Sequence, residues 1–589
     1  MLRKIPALNL HPDLQIGAST KRSAYAGRVP TLAEMPDAYV IGLSRGGANV
    51  NRFSNTLSLS RPKTAVATAV LLMSLSAAAV AQRDPGVRGG LNNTGGGLQT
   101  QGIPIPPPPL ISRNPNHPEL TVSDNEKLLF DEGIKRAGQL ESTCDVCADP
   151  PFGVRDGNAV GPPLVPAGTE IDPLFPQTLF NSNGLGTVYN SDSCFECHAH
   201  PTLGGSGGFL AAHKGDVAQN PAFDLAPHRS GRTNKVPSFE TRFGPIREVR
   251  FKFNPDGSRD GGVHALYTTK GDRADPGNAA CNVTQPDFET ELKKGNLSFR
   301  IPLQLFGLGL IESIEDNEIL AHHDATARQR AALGITGHPN RSGNDGTITR
   351  FGWKAQNKSI AIFAGEAYNV EMGVTNDLFP QARDENPSCA LGKPEPNDIN
   401  RIDVNDDENK AFNSPLHELP DWQLFFIMMR FIDAPQPDPH PSFSAQRGRQ
   451  LFSQIGCNLC HTPQMKTGGT AADPNQSAGG AFGSQILVDR PVNMFSDMLV
   501  HHMGPGLADD VIQGNAGPDE FRTTPLWGVG QRIFFLHDGR TSDIQQAILA
   551  HQSSGNGRFP ASEANGVVQN FQHLNANDKQ AILDFLRSL

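Results

Sequence analysis

Apolar side chains recur at helical spacing in a few short stretches of this chain, separated by long polar stretches. In the first, Thr121–Leu140, residues such as Phe130 and Ile134 recur at roughly the period of a helix. Ser123 is followed three positions later by Glu126, which is typical of a capping box at the start of a helix. The pattern therefore predicts a helix over this stretch.

Helical patterns recur further along, whereas no stretch shows the convincing apolar–polar alternation of a half-buried strand. Gly (60) and Pro (47) are abundant, which predicts long loops between short helices. Together these features favour a mainly α fold. The further predicted helices are Pro302–Ile314, Lys354–Tyr368, Asp421–Phe431, Ser444–Ile455, Ser542–Ala550 and Asp578–Leu589.

Residues 1–82 are typical of a leader with a signal peptide. A basic segment (Arg61, Lys63) precedes an apolar run, and Ala-Val-Ala at 79–81 matches a signal-peptide cleavage site. We therefore expect cleavage near 81/82 and a periplasmic or secreted protein. The apolar run is too short for a stable membrane span, although an uncleaved anchor is the alternative. Residues 1–50 either result from a start codon assigned too far upstream or form a disordered extension.

Composition divides the remaining chain into three parts. Residues 83–118 are rich in Gly, Asn and Pro and predict an extended linker. Residues 119–440 form a long, irregular N-terminal part, which ends in the proline-rich stretch 434–439. Residues 441–589 predict a compact C-terminal domain that begins and ends with a helix. The net charge of −10 gives no reason to expect nucleic acid as a partner.

Six of the eight cysteines lie in C-x-x-C pairs, and two pairs are followed directly by histidine. On one helical turn, cysteines three positions apart can both form thioethers to haem, and the next histidine can bind the iron. The predicted haem-attachment residues are Cys194, Cys197, Cys457 and Cys460, and the predicted proximal iron ligands are His198 and His461. A zinc knuckle or a redox dithiol is the alternative, but such zinc sites need two pairs close in sequence.

The other cysteines are less informative. Cys144 and Cys147 lack the following histidine, so that a disulfide is the better interpretation in an oxidising compartment. Cys281 and Cys389 are left over and could also pair. The two haem motifs themselves hint at a duplicated domain. We therefore predict a mainly α protein with two cytochrome c-like domains, the first expanded by long, loop-rich insertions.

Seven short segments, taken in their order along the chain, carry a resemblance to a known family. The segments are 193–198, 307–312, 350–356, 371–376, 502–506, 522–527 and 536–540. From about residue 180 to 589 the chain resembles the di-haem c-type oxidoreductases related to bacterial di-haem cytochrome c peroxidase, in their thiol oxidoreductase-like branch. The resemblance implies two covalently bound haem c groups, a small electron-donor protein of cytochrome or cupredoxin type and peroxide as substrate. It also allows calcium, for which no ligand loop is evident.

In the resembled peroxidases, a glutamate in an Asn-Pro-x-Glu-Met-Gly setting lies over the first haem. Residues 369–373 (NVEMG) are similar but lack the proline, and by this match Glu371 is the distal acid–base group. The chemistry needs such a group, because peroxide must lose one proton and its leaving oxygen must gain one. Trp353, eighteen residues earlier, matches a tryptophan that relays electrons between the haems, with Trp527 as a second candidate. An N-cap or surface carboxylate and ordinary core tryptophans are the structural alternatives.

The resemblance also implies a sixth iron ligand at the second haem, fourteen residues after the His-Asp-Gly motif. Counting from His537 gives His551, at the end of a predicted helix, where the peroxidases usually have methionine. A bis-histidine iron has a lower potential than a His/Met iron. His501, His502 and Met503 are competing candidates. For the first haem, His213 could be a removable sixth ligand, or the iron could be five-coordinate.

The overall prediction is a periplasmic enzyme that reduces hydrogen peroxide at the His198 haem with electrons from the His461 haem. Arg350 and Arg522 could pair with haem propionates, because the planar guanidinium suits carboxylates. Three alternatives stay open: a di-haem electron-transfer protein without peroxidase activity, a di-haem oxygenase of the rubber-cleaving type, and a haem enzyme that modifies residues of a partner protein.

Overall fold

The computed structural model describes most of the chain after residue 184 and shorter parts before it. The predicted leader up to residue 81, the Cys144/Cys147 pair, Cys281, Cys389 and the candidate ligand His213 lie outside the described residues. The described residues are 82–86, 110–138, 154–155, 158–159, 185–208, 219–225, 234–268, 283–383, 398, 419–469 and 484–589.

Helices dominate the regular structure of the described residues. Single turns of 3-10 helix lie at Cys457–Leu459, Gln485–Leu487 and Val529–Gln531. The α-helices are α1 Asp124–Ala137, α2 Cys194–Cys197, α3 Ala222–Leu225, α4 Phe288–Lys294, α5 Leu308–Glu312, α6 Asp316–Ala325, α7 Ala327–Leu333, α8 Ile360–Met372, α9 Asp421–Phe431, α10 Phe443–Gln454, α11 Ile544–Ala550, α12 Asn565–His573 and α13 Ala576–Arg587.

Small antiparallel sheets accompany the helices, which corrects the expectation of a chain without strands. The largest described sheet has the order β5–β4–β7, and the others are the pairs β1–β2, β3–β6, β8–β9 and β10–β11. Strands of two to four residues are too short to show a visible alternation. They are β1 Val154–Arg155, β2 Asn158–Ala159, β3 Val188–Tyr189, β4 Glu248–Phe251, β5 Val263–His264, β6 Tyr267–Thr268, β7 Leu297–Arg300, β8 Met465–Lys466, β9 Pro491–Val492, β10 Val500–His502 and β11 Glu520–Arg522.

Helix α1 begins as its sequence predicts and packs closely on α9. The Ser123 side chain accepts from the Glu126 amide, and the Glu126 carboxylate accepts from the Ser123 amide, which confirms the capping box. At Gly133, a Cβ atom would lie 2.5 Å from the Leu424 carbonyl oxygen and 2.8 Å from the Cβ of Met428. The absence of a side chain therefore allows the backbones of α1 and α9 to come into contact.

Helices α10 and α13 pack in the same way at the other end of the chain. A Cβ atom at Gly448 would lie 1.9 Å from the carbonyl oxygen of Ala581 and 2.8 Å from the Cβ of Phe585. Beside this contact, the apolar cluster of α10 and α13 includes Phe452 and Ile582, which are buried. Each haem motif thus follows the first helix of a glycine-centred helix pair.

Several predicted boundaries differ from the observed ones. The helix predicted over 302–314 is limited to α5, because residues 301–305 form extended backbone contacts, such as the bond from the Ile301 amide to the His537 carbonyl. The helix predicted over 354–368 begins only at Ile360. Residues 110–118, expected as linker, are packed, with Ile111 fully buried. Within the described residues, no helix is both long enough and apolar enough for a membrane crossing.

Candidate functional site

A cavity of about 230 Å³ lies inside the C-terminal part, beside the second C-x-x-C-H motif. Cys457, Cys460 and His461 line it, together with His551 from the end of α11. Apolar side chains of α10, α12 and α13 complete much of the wall, Phe452 among them. The fold therefore brings the motif and the predicted sixth ligand to one cavity.

His461 and His551 are held in the same tautomer. The Nδ1 atom of His461 lies 3.1 Å from the Phe495 carbonyl oxygen, and that of His551 lies 2.7 Å from the Ala547 carbonyl oxygen. Burial lowers the pKa of His461 to about 4 and also lowers the pKa of His551. Both rings are therefore neutral, donate through Nδ1 and keep the lone pair of Nε2 for a metal.

The competing ligand His501 is held by two carboxylates instead. Its Nδ1 lies 2.8 Å from a Glu563 oxygen and its Nε2 lies 3.0 Å from an Asp497 oxygen. Burial opposes the charged ring, but Cys460 and Asp497 raise the pKa of His501 well above its ordinary value. Cys460, Asp497 and His501 are the cluster of potential metal ligands found among the described residues. We interpret it as an ion-pair network, because both ring nitrogens of His501 are engaged.

His502 is engaged as well, whereas Met503 stays available. Nδ1 of His502 lies 3.0 Å from an Asp519 oxygen and Nε2 lies 3.2 Å from a Glu520 oxygen. Met503 lines the cavity with His551. Of the four candidates for the sixth ligand, His551 and Met503 are thus the two without an ionic partner in the described structure.

Buried arginines on the cavity wall provide a test of whether the site suits haem. The Nε and Nη2 atoms of Arg532 are buried and have no hydrogen-bond partner among the described residues, and burial lowers the pKa of Arg532 to about 10. A buried guanidinium without an anion is costly, and a haem propionate would supply one. The donors therefore fit haem.

The two arginines that the sequence singled out behave differently. Arg522 lines the cavity but already donates to the Gly352 carbonyl at 2.9 Å. Arg350 is paired with Asp316, at 2.5 Å, which is an ordinary ion pair. Arg532 was missed by sequence reasoning, and its place in the motif-rich stretch before His537 is the signal that could have found it.

The first motif lies in α2 and the turn that follows. The Nδ1 atom of His198 is 3.1 Å from the Gly205 carbonyl oxygen. Burial lowers the pKa of this ring to about 4, and the carbonyls of Gly205 and Leu303 partly oppose that effect. His198 thus has the same neutral tautomer as His461, with Nε2 left for a metal.

Glu371, near the end of α8, lies beside the first motif. Its carbonyl oxygen accepts bonds from the amides of Asn190 (2.7 Å) and Ser191 (3.1 Å), just before α2. Its carboxylate accepts a 2.9 Å bond from the Asn190 side chain. Burial, followed by the charge of Glu248, raises the pKa of Glu371 to about 8. Glu371 in turn raises the pKa of the Cys197 thiol, after the larger effect of burial. Burial and the charge of Glu248 therefore both favour the protonated form of this carboxyl group.

Trp353 lies on the wall of the cavity at the second motif. It is buried, its Nε1 donates to the Ile301 carbonyl oxygen at 2.9 Å, and its ring lies 6.3 Å from that of His537. Trp527 instead lines a second cavity, of about 20 Å³, with Leu303 and Arg532. Trp353 thus contacts both the cavity of the second motif and the 301–303 segment, whereas Trp527 shares the smaller cavity with Leu303.

Two solved structures resemble parts of this chain at low identity. No curated protein matches the sequence. Hydrazine synthase of Kuenenia stuttgartiensis is 16% identical, with a TM-score of 0.17, over 30% of this chain and 56% of that chain, so that the match spans little more than half of the solved chain. A MauG-like protein associated with microbial copper homeostasis is 16% identical, with a TM-score of 0.23, over 48% of this chain and 89% of that chain.

The family comparison covers more than half of the chain. Residues 267–589 match the family described as "Di-haem oxidoreductase, putative peroxidase". The matched range includes the second motif, Glu371, Trp353 and His551, whereas the first motif precedes it. The chain therefore belongs to the di-haem oxidoreductase family.

Proposed function

We propose that this protein is an exported di-haem c-type peroxidase with unequal haem sites. Cys194 and Cys197 would hold one haem, with His198 as iron ligand. Cys457, Cys460, His461 and His551 would hold the other. When bound, the haems supply the redox chemistry, with peroxide reduced at the His198 site by electrons that enter at the His461 site.

The single observation that carries this proposal is the position of Glu371 beside the first motif, where its backbone carbonyl accepts the amides of Asn190 and Ser191. With a pKa of about 8, Glu371 holds a proton at neutral pH and can release it to a departing oxygen. The Asn190 side chain orients the carboxyl group through its 2.9 Å bond.

At the second site the residues favour electron transfer. The neutral His551 ring on the shared cavity would close the iron to substrates, and the bis-histidine set would lower its potential. Arg532 would neutralise a propionate and exclude water. Trp353, on the wall of this cavity, would carry electrons towards the 301–303 segment and His198.

The paired glycine-centred helix crossings, α1 with α9 and α10 with α13, support two cytochrome c-like domains, one for each motif. A small donor protein of cytochrome or cupredoxin type would reduce the second site in the periplasm, where a leader of the predicted kind directs its protein.

The proposal is tested by titrating the mixed-valence protein with hydrogen peroxide and following its absorption and EPR spectra. We expect wild-type protein to react and Glu371→Gln to lose about 10²- to 10⁴-fold in rate, the usual share of a general acid–base group. Glu366→Gln is the matched control and should react normally, because Glu366 is a half-buried carboxyl group on the same helix that hydrogen-bonds Asn357.

Each outcome distinguishes the alternatives. A wild-type protein that ignores peroxide, with both irons six-coordinate, would make it an electron-transfer protein. A normal rate in Glu371→Gln would remove this residue from proton transfer in the reaction with peroxide.

A further inference from the structure

Five residues at the start of the predicted mature chain pack on the C-terminal part, close to five hundred positions away. These residues, 82–86, are called the strap here. The Arg83 amide donates to the Gln580 side chain at 3.0 Å, and the Gln580 amide group donates back to the Arg83 carbonyl at 2.8 Å. This reciprocal pair fixes the strap along α13.

Asp84 of the strap joins α13 to α11. Its two carboxylate oxygens accept bonds from Nε and Nη2 of Arg587, both at 2.6 Å. One of these oxygens also accepts the Ile544 amide at 2.9 Å, the first amide of α11. Only 9% of the Asp84 side chain and 6% of the Arg587 side chain are exposed, so this bidentate pair is largely shielded from water and salt.

Of the two residues that Asp84 joins, Ile544 lines the haem cavity, and Arg587 contacts two residues that line it. Helix α11 supplies Ile544, Ala547 and Ile548 to the wall and ends at His551. Arg587 donates to the Arg532 carbonyl at 3.0 Å and lies over the Phe535 ring at 5.2 Å. Arg532 and Phe535 also line the cavity. The Asp84 carboxylate therefore connects helix α11, which leads to His551, with Arg587, which contacts another part of the cavity wall.

We propose that Asp84 is a positioning residue for His551, so that the strap completes the second haem site. Helix α11 has only seven residues, and a shift at Ile544 is passed along two turns to the ring of His551. The inference rests on the proposed function through one assignment, that of His551 as the sixth ligand. Without the strap carboxylate, α11 loses its tie to Arg587 and the ring of His551 is no longer held at the iron.

The experiment compares EPR and absorption spectra of the full-length holoprotein in wild type, Asp84→Ala, Asp84→Asn and His551→Ala. We expect Asp84→Ala to convert part of the low-spin signal of the second haem into high-spin signal, while the first haem keeps its spectrum. Asp84→Asn keeps an acceptor for the Ile544 amide but loses the charge, so its low-spin signal should lie between those of wild type and Asp84→Ala. Asp84→Glu keeps the charge and should keep most of the low-spin signal.

The control is Arg447→Gln, which breaks the ion pair between Arg447 and Asp578 (3.2 Å) that joins α10 to α13 without touching α11. It should leave the spin state unchanged. Should Asp84→Ala fail to fold, the same spectra of Asp84→Asn and the rate of imidazole binding to its second haem decide the question.

The two possible failures are distinguishable. If His551→Ala keeps the low-spin signal, His551 is not the ligand and the assignment in the proposed function is wrong. If His551→Ala loses the signal whereas Asp84→Ala and Asp84→Asn keep it and bind imidazole as slowly as wild type, the strap does not position His551 and the inference is overturned.

Discussion

The indole Nε1 atom of Trp353 donates a 2.9 Å hydrogen bond to the carbonyl oxygen of Ile301. Two residues after Ile301 lies Leu303, whose carbonyl hydrogen-bonds the ring of His198 and partly opposes the lowering of its pKa by burial. Trp353 itself lines the cavity of the second motif. Trp353 therefore lies on the cavity of the second motif and is bonded to the segment that contacts the first motif.

The first prediction concerns that connection. Trp353→Phe keeps most of the buried volume but removes the donor to Ile301 and the indole, so that electron transfer between the haems should slow while both haem spectra stay unchanged. Stopped-flow absorption after rapid reduction measures the transfer. Trp422→Phe, a buried tryptophan in α9, is the control. Equal transfer rates in all three proteins would exclude the relay.

The second prediction concerns pH and stability. The folded-state pKa of Glu371, about 8, lies above its ordinary value of 4.5. The folded protein therefore holds a proton that the unfolded chain releases, so this group contributes stability below about pH 4.5 that is lost as the pH rises through 8.

Glu371→Gln removes this dependence. Its free energy of unfolding relative to wild type should therefore rise between pH 5 and pH 9, as urea denaturation at each pH would show. Glu119→Gln, at a side chain that is 66% exposed, is the control. A pH-independent difference would mean that Glu371 is ionised in the folded protein.

The third prediction concerns the contact between α10 and α13. Gly448→Ala places a methyl group 1.9 Å from the Ala581 carbonyl oxygen, so the helices must separate. The expected loss is about 1–3 kcal/mol of unfolding free energy, as for other overpacked cores. Gly557→Ala, where a Cβ atom meets nothing within 4 Å, should be close to neutral. Similar unfolding curves for both variants would contradict the close contact.

The fourth prediction concerns Arg532. Arg532→Gln removes a buried positive charge from the cavity of the second motif. The oxidised iron, which carries the larger positive charge, is then more stable relative to the reduced iron. The reduction potential of the second haem should fall, as spectroelectrochemical titration would measure. Arg449→Gln, at an exposed position of α10, should leave the potential unchanged. An unaltered potential in Arg532→Gln would argue against a propionate contact.

Local features of the chain were readable from the sequence. The capping box of α1 and the helices α9, α10 and α13 were predicted within two residues at each end where the structure describes them, because their apolar periodicity and caps are local. The two-to-four-residue strands were not, since such short segments leave no periodic signal.

The sequence by itself determined where the two C-x-x-C-H motifs lie, because all the residues of such a motif fall within about one helical turn. It did not determine which side chains meet those motifs. Only in the tertiary structure are His501 and His502 paired with carboxylates. The same holds for Arg532, which is buried with no hydrogen-bond partner for two of its nitrogens among the described residues. It also holds for Asp84, which accepts hydrogen bonds from Arg587 and Ile544. These contacts join residues up to 503 positions apart, and burial, which sets their charge states, exists only after the chain has folded.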